Sequence, residues 1–224
     1  TEHIGDAFNQ LLGRMKVLDD SRQEFVANVS HELKTPLTSM KVLSDSLLMQ
    51  PDAPVELYQE FMGDINHEVD RLSLVINDLL TLVKTDKGAD TLILASVDLS
   101  KLIRRITGTV APLARSKHIT VLYEYVDTTL QGDELRLQQV FTNLIDNAIK
   151  YSPENTTVSI TLTQSQGNAV ITIADQGIGM SEDNLSHIFE RFYRVDKGRS
   201  RQAGGTGLGL SIVKQIVEQH NGTI

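Results

Sequence analysis

The sequence predicts two domains of different class: an antiparallel helical hairpin that pairs with a second copy into a dimeric four-helix bundle and, after it, an α/β sandwich. Three observations carry this. Apolar residues recur at threes and fours from Ile4 to Val83, broken once by two prolines in Pro51-Asp52-Ala53-Pro54. A polar hinge, Asp86-Lys87-Gly88-Ala89-Asp90, ends that pattern. From Thr91 onward short strand-like runs alternate with helical ones, which points to a sheet with helices on it. Residues 1–20 then form an approach helix, 21–86 the hairpin and 87–224 the second domain.

The first arm carries Leu11, Met15, Leu18, Phe25 and Val29, then Leu33, Met40, Leu43 and Leu47, at helical spacing. At about 100° per residue, His31 lies roughly 160–200° from Val29 and Leu33, so it points into water. Thr35 follows one turn later, about 40° round on the same face. Pro36 lacks an N–H and crowds the preceding turn, so a bend is expected just after the histidine. Glu32 is adjacent and can accept a proton or hold an imidazolium. In the second arm Tyr58, Phe61, Ile65, Leu72, Val75, Leu79 and Leu82 form one stripe. Met62, Val69, Ile76 and Val83 form another beside it. One partner helix cannot cover both, which predicts a symmetric homodimer.

Composition narrows the function. With 40% apolar and 22% charged residues the chain reads as globular, and 5% aromatics without Trp leave the core to Leu, Ile and Val. A net charge of −8, from 21 basic and 29 acidic side chains, argues against a nucleic-acid surface and suits a small anion held in a local pocket. Without cysteine there are no disulfides and no cysteine-ligated zinc, which fits a reducing compartment. No run of about 18 apolar residues occurs, so neither a membrane span nor a signal peptide is expected here, as for a soluble part of a membrane protein.

In the second domain Thr91 to Val97 reads as a strand with Leu92, Leu94 and Val97 inward. Asp98 or Ser100 caps the helix that follows. His118 to Tyr125 is a strand, and Gly132-Asp133 turns into a helix from Glu134 to Tyr151. Strands at Thr157–Gln164 and Ala169–Ala174 flank a turn at Gln166-Gly167-Asn168. Helices are expected over Ser181–Phe189 and Thr206–Gln219, the last ended by Asn221-Gly222.

The helix Glu134–Tyr151 sets Asn143, Asn147, Lys150 and Tyr151 along one face. Two amides one turn apart offer oxygens to a hard cation such as Mg²⁺, and Lys150 offers a point charge to phosphate. Asp175-Gln176-Gly177-Ile178-Gly179 follows a strand directly. Its carboxylate can accept a hydrogen bond from an adenine amine, while Gly177 and Gly179 let the backbone turn close to a ligand. Phe189-Glu190-Arg191-Phe192-Tyr193-Arg194 is aromatic and basic. Gly204-Gly205-Thr206-Gly207-Leu208-Gly209-Leu210 opens the last helix with backbone N–H groups suited to phosphates. Between them, Val195 to Ala203 is polar, with Lys197, Arg199 and Arg201, and reads as a lid. Each box alone is a weak signal; their order is the strong one. His3, His67, His118, His187 and His220 match no box and read as ordinary surface or partly buried residues.

The string Ser30-His31-Glu32-Leu33-Lys34-Thr35-Pro36-Leu37 resembles the phosphoacceptor box of the sensor histidine kinases of two-component systems. The ordered boxes from Asn143 to Leu210 resemble their Bergerat-type ATP-binding domain, shared with gyrase, Hsp90 and MutL ATPases. Glu2–Asn9 resembles the end of a HAMP linker. The likeness runs from about residue 21 to the end. It implies a protein-histidine kinase using ATP and Mg²⁺, with His31 as phosphoacceptor and Glu32 as base or orienting partner. Glu32 and Thr35 resemble the Glu-x-x-Thr pattern of members that also act as phosphatases. The same likeness implies that Asn143 and Asn147 hold Mg²⁺, that Asp175 reads adenine on the Gly177–Gly179 turn, and that Lys150, Tyr151 and Arg194 serve the nucleotide. Gly205, Gly207, Leu208 and Gly209 would shape the end of the lid. A cognate response regulator is the implied partner, and a cytoplasmic domain of a membrane-anchored bacterial protein the implied setting. The family continues past Ile224 into a final strand pair, so either the sheet lacks an edge strand here or the sequence is cut within that strand. A clamp ATPase and an inactive scaffold dimer compete with this reading. The exposed histidine on a dimerising hairpin counts against the first, and the intact nucleotide boxes against the second.

Overall fold

The computed structural model describes residues 2–50, 52–86, 91–195 and 205–224, with residues 2–9 and 85–86 described by their backbone alone. The expected hinge and lid lie outside the described residues apart from Asp86 and Val195, and so do the side chains of the HAMP-like stretch. The chain divides into two compact units, Thr1–Asn77 and Asp78–Ile224.

The first unit is built on α1 (Glu2–Leu48) and α2 (Val55–Asp86), whose last turns belong to the second unit. Helix α1 runs on through Pro36, which is buried. On either side of it Thr35 and Thr38 donate their hydroxyl protons back to the carbonyls of His31 and Lys34, at 3.0 and 2.9 Å. The connection is held by Tyr58, whose phenol donates to the Gln50 carbonyl at 3.0 Å. The two stripes of α2 differ sharply. Val75 and Leu82 are buried, and Tyr58, Phe61, Ile65, Leu72 and Leu79 are half-buried. Met62, Val69, Ile76 and Val83 remain 54%, 44%, 43% and 44% exposed, an uncovered apolar row.

Among its described residues the second unit holds two small sheets and three packed helices. β1 (Ala95–Asp98) pairs antiparallel with β3 (Thr129–Gly132). β2 (Thr120–Tyr125), β4 (Thr157–Ser165) and β5 (Asn168–Ala174) form the order β2-β4-β5. β2 runs parallel to β4, with Thr120 opposite Thr157 and Tyr125 opposite Leu162, whereas β4 and β5 form an antiparallel hairpin. Its turn is Gln166-Gly167, both with positive φ (50° and 82°), the geometry that matches strand twist. Helix α4 (Glu134–Tyr151) packs against both α3 (Leu99–Ser116) and α6 (Gly209–Gln219). Leu99, Ile103, Ile145, Ile149, Val158, Ile160, Leu162, Ile212 and Ile216 form the core.

Some expectations are corrected. The first strand begins at Ala95 rather than Thr91, and Leu94 points to solvent, because the Ile93 N–H is diverted to the Asp133 carboxylate at 3.1 Å. Strand β3 is an addition. The helix expected over Ser181–Phe189 is a single turn, α5 (Glu182–Leu185). After it the backbone closes in successive four-residue turns, His187 N–H to the Asn184 carbonyl and Glu190 N–H to the His187 carbonyl. The last helix starts at Gly209 rather than Thr206, since Gly207 has φ +74°, which a right-handed helix does not admit.

Caps fix the helices that frame the site. Asp98 caps α3 by accepting the Lys101 N–H at 3.0 Å, and the Ser100 hydroxyl donates to it at 2.7 Å. Those two bonds hold its carboxyl well below the usual carboxylate range. Asp133 caps α4 by accepting from Leu135 and Arg136, at 3.1 and 3.2 Å. Its own N–H donates to His220 Nε2 at 3.0 Å, and His220 Nδ1 donates to the Ile216 carbonyl at 2.8 Å. His220 thus ties the end of α6 to the start of α4.

Candidate active site

In the first unit, helical periodicity places His31 as expected: its side chain is exposed. It borders an open groove of ≈ 580 Å³ lined by His31, Lys34, Thr35, Thr38, Ser39, Val42 and Leu43. The half-buried Thr35 spends its hydroxyl proton on the His31 carbonyl, and its oxygen keeps acceptor capacity toward the groove. Glu32 faces the other helix. Its carboxylate lies 3.7 Å from an Arg71 guanidinium nitrogen, and a second Arg71 nitrogen lies 3.7 Å from Glu68. Arg71 is a participant that sequence reasoning missed; it is one of many charges on α2 and nothing local marks it.

In the second unit the boxes assemble around α4. Asn143 donates its side-chain N–H to the Gly209 carbonyl at 3.3 Å, which brings the glycine-rich segment to the amide face. Committing the nitrogen leaves the carbonyl oxygen as the outward acceptor of that amide. Asn147, half-buried, lies one turn further along the helix. Lys150 forms a 2.7 Å ion pair with Asp146, both side chains about a third exposed. At the end of the helix Tyr151 is half-buried, and a Cβ on Gly177 would stand 3.0 Å from its carbonyl oxygen and 2.6 Å from Asp175 Oδ1. Only glycine fits there without displacement. The Gly177 N–H donates to Asp175 Oδ1 at 2.7 Å, fixing the carboxylate at the strand end and leaving Oδ2. Gly179 has φ +67° with open space around it, so it serves the turn and not a close contact.

Gly207 and Phe192 pack backbone to backbone. The Phe192 N–H donates to the Gly207 carbonyl at 2.8 Å, and a Cβ on Gly207 would lie 2.9 Å from Phe192 Cα. The aromatic segment therefore joins the glycine-rich one, with half-buried Arg194 two residues beyond the contact. Leu208 is fully buried and Gly205 half-buried.

Two residues missed from the sequence frame this arrangement. Asp78 is buried and accepts the Thr206 hydroxyl at 2.8 Å. Burial raises its carboxyl above the ordinary range, against the opposing pull of Thr206 and of Lys150 nearby. A signal existed: Asp78 stands three residues after Val75 and four before Leu82, a charge at core spacing. The other is Lys117, whose ammonium reaches the carbonyls at the end of α4.

Comparison with known proteins finds two family matches along the chain. Residues 21–88 match the family described as His Kinase A (phospho-acceptor) domain, and residues 132–224 match the histidine kinase-, DNA gyrase B-, and HSP90-like ATPase family. The sensor-like histidine kinase SenX3 of Mycolicibacterium smegmatis is 40% identical over 209 residues, covering 92% of this chain and 54% of that protein. Full-length ShkA, solved in complex with AMPPNP, superposes with a TM-score of 0.64 at 31% identity over 88% of this chain and 41% of that one. The mycobacterial sensor histidine kinase MprB superposes with a TM-score of 0.51 at 34% identity, covering 58% of this chain and 81% of that one. The chain spans about half the length of the curated relatives it matches. Among the described residues no helix is long and apolar enough to cross a membrane. The exposed histidine of the hairpin and the ATPase boxes gathered on α4 meet in one sequence, and the chain belongs to the sensor histidine kinases of two-component systems.

Proposed function

We propose that this chain is the catalytic core of a homodimeric protein-histidine kinase, the cytoplasmic part of a membrane-anchored bacterial sensor. ATP bound in the second unit donates its γ-phosphoryl group to the imidazole of His31, and the phosphoryl group then passes to an aspartate of a cognate response regulator. The observation that carries this reading is the exposed His31 imidazole beside an open groove, in a chain that also gathers the nucleotide boxes on α4.

Phosphoryl transfer asks a protein mainly for positioning and charge neutralisation. Asp175, held by the Gly177 N–H, accepts from the adenine amine through its second oxygen. The N–H groups about Gly205, Gly207 and Gly209 receive phosphate, on a turn shaped by Leu208, whose own N–H is held by Thr206, with Lys150 and Arg194 adding positive charge. Asn143, its nitrogen committed to Gly209, fits a cation that takes oxygen ligands, and Asn143 with Asn147 would hold Mg²⁺. Bound there, Mg²⁺ would supply neutralisation of phosphate charge. Glu32, held against Arg71, orients the imidazole or takes its proton, and Thr35 serves a phosphatase reaction on the regulator.

The test is transfer from γ-labelled ATP. The expected label is acid-labile and base-stable, as a phosphohistidine is, and absent in His31→Gln. Undiminished label in His31→Gln would place the acceptor elsewhere.

A further inference from the structure

Lys117 sits where α3 ends, in a turn that leaves it little freedom. The Ile119 N–H reaches back to Ala114 at 2.8 Å and the His118 N–H to Arg115 at 3.0 Å, with His118 at φ +53° in the position a glycine usually takes. From this fixed base the half-buried side chain crosses to the far end of α4. Its ammonium donates to the carbonyls of Ile149, Lys150 and Ser152, at 3.0, 2.7 and 2.8 Å. An ammonium has three protons and all three are used. Its own carbonyl accepts the Asn155 N–H at 3.1 Å, so both ends of the residue grip the segment that leaves α4.

The place matters because the last turn of α4 holds Lys150 and Tyr151, and the Tyr151 carbonyl is the surface against which Gly177 closes. Gly177 in turn holds Asp175 through its N–H. A C-terminal helix turn has unsatisfied carbonyls and a partial negative charge, and it frays unless something binds it. Lys117 binds it with a full positive charge.

We propose that Lys117 is a positioning residue of the nucleotide site: by closing the end of α4 it fixes the height at which Asp175 meets the base, and with it the preference for adenine. This rests on the reading of the second unit as an ATP site. Lys117 touches no nucleotide itself. It acts through the Tyr151–Gly177–Asp175 contact.

The experiment compares ATP and GTP titrations, in magnesium buffer, of the unmodified chain, Lys117→Met and Lys117→Gln, at a temperature where each is shown by circular dichroism to be folded. The unmodified chain should prefer ATP; failure of that preference would count against the site reading itself, before any variant is considered. Lys117→Met should weaken ATP roughly tenfold, about 1.4 kcal/mol, and narrow the ATP-to-GTP preference by a similar factor. Lys117→Gln, which keeps two donors without the charge, should fall between. Hydrogen exchange should quicken at the Gly177 N–H and in the last turn of α4 while the β4–β5 amides hold. A residue that merely adds stability would lower the melting temperature and leave the ATP-to-GTP ratio alone. An unchanged ratio in folded Lys117→Met overturns the proposal, and if that variant does not fold, an unchanged ratio in Lys117→Gln does so.

Discussion

Thr206 donates its hydroxyl proton to Asp78 across 2.8 Å, and the same oxygen accepts the Leu208 N–H at 3.2 Å. The glycine-rich segment is thereby tied to the last turns of α2 by a buried carboxylate whose pKa burial pushes up from 3.8. A carboxyl raised in the folded state contributes stability that is fully present below its unfolded pKa and is lost as pH rises through its folded one. At neutral pH the ionised group therefore works against the fold. Asp78→Asn keeps an oxygen for Thr206 and removes the charge. It should melt higher than the unmodified chain near neutral pH, the gap closing as pH falls toward 3.8. Scanning calorimetry across that range is the check, and identical melting at every pH would contradict it.

The glycines of the last box are not equivalent. At Gly207 a methyl group meets Phe192 backbone atoms at 2.9 Å with φ +74°, whereas at Gly209 it meets only the Asn143 amide at 3.6 Å. Gly207→Ala should cost about 1–3 kcal/mol and impair ATP binding. Gly209→Ala, at the start of a helix, should change stability by less than about 1 kcal/mol. Denaturant melts of both variants decide it; equal losses would mean that the Phe192 contact relaxes freely.

Dimerisation should depend on the uncovered row of α2. Met62→Lys combined with Ile76→Lys should give monomers with unchanged helix content, because neither side chain is enclosed within the chain. Leu72→Lys, on the half-buried stripe, should lose helix content as well. Light scattering and circular dichroism separate the two, and a dimer that survives Met62→Lys with Ile76→Lys would place the interface on another face.

Thr35 gives its proton to the His31 carbonyl, so toward the groove it can only accept. Thr35→Ala should retain histidine labelling while slowing dephosphorylation of the regulator, by roughly five- to a hundredfold for one lost hydrogen bond. Thr35→Ser, which keeps the hydroxyl, should restore it. The decay of phosphorylated regulator with ADP present is the measurement, and equal rates for Thr35→Ala and the unmodified protein remove the residue from that reaction.

Asp133 accepts three backbone N–H groups, from Ile93, Leu135 and Arg136. Asp133→Ala should lower the melting temperature by roughly 2–8 °C, the effect of a lost helix cap in a domain of this size. Asp133→Asn, which keeps an oxygen for the cap, should recover most of it; a drop as large as that of Ala would assign the effect to charge.

Helix α4 is legible at both ends because each end has a local cause, Asp133 as cap and Ser152-Pro153 as stop. The position of His31 is legible for the same kind of reason, since an exposed face needs only periodicity. What periodicity does not contain is partners. Strand β3 has one large apolar side chain, Leu130, and exists through pairing with β1, which no local pattern announces. Ile188 and Phe189 extend an apolar pattern past α5, yet the backbone there prefers tight turns. The boxes of the nucleotide site are legible by order, whereas what holds them in place comes from distant positions, Asp78 on Thr206 and Lys117 on the end of α4; in the first unit Arg71 stands in the same way beside Glu32.

The parallel pairing of β2 with β4 sets a kinetic order. β4 and β5 meet through the two-residue turn Gln166-Gly167, a small loop that closes quickly. β2 reaches β4 only across the whole of β3 and α4, a far larger loop whose entropy is lost before its contacts form. We expect the sheet to grow from its hairpin outward and β2 to join last, with the stacked Tyr123 and Tyr125 rings as the slow reporters. Pulse-labelled hydrogen exchange during refolding reads this order directly: amides bridging β4 and β5 gain protection before those bridging β2 and β4, and simultaneous protection would mean that the sheet condenses in one step.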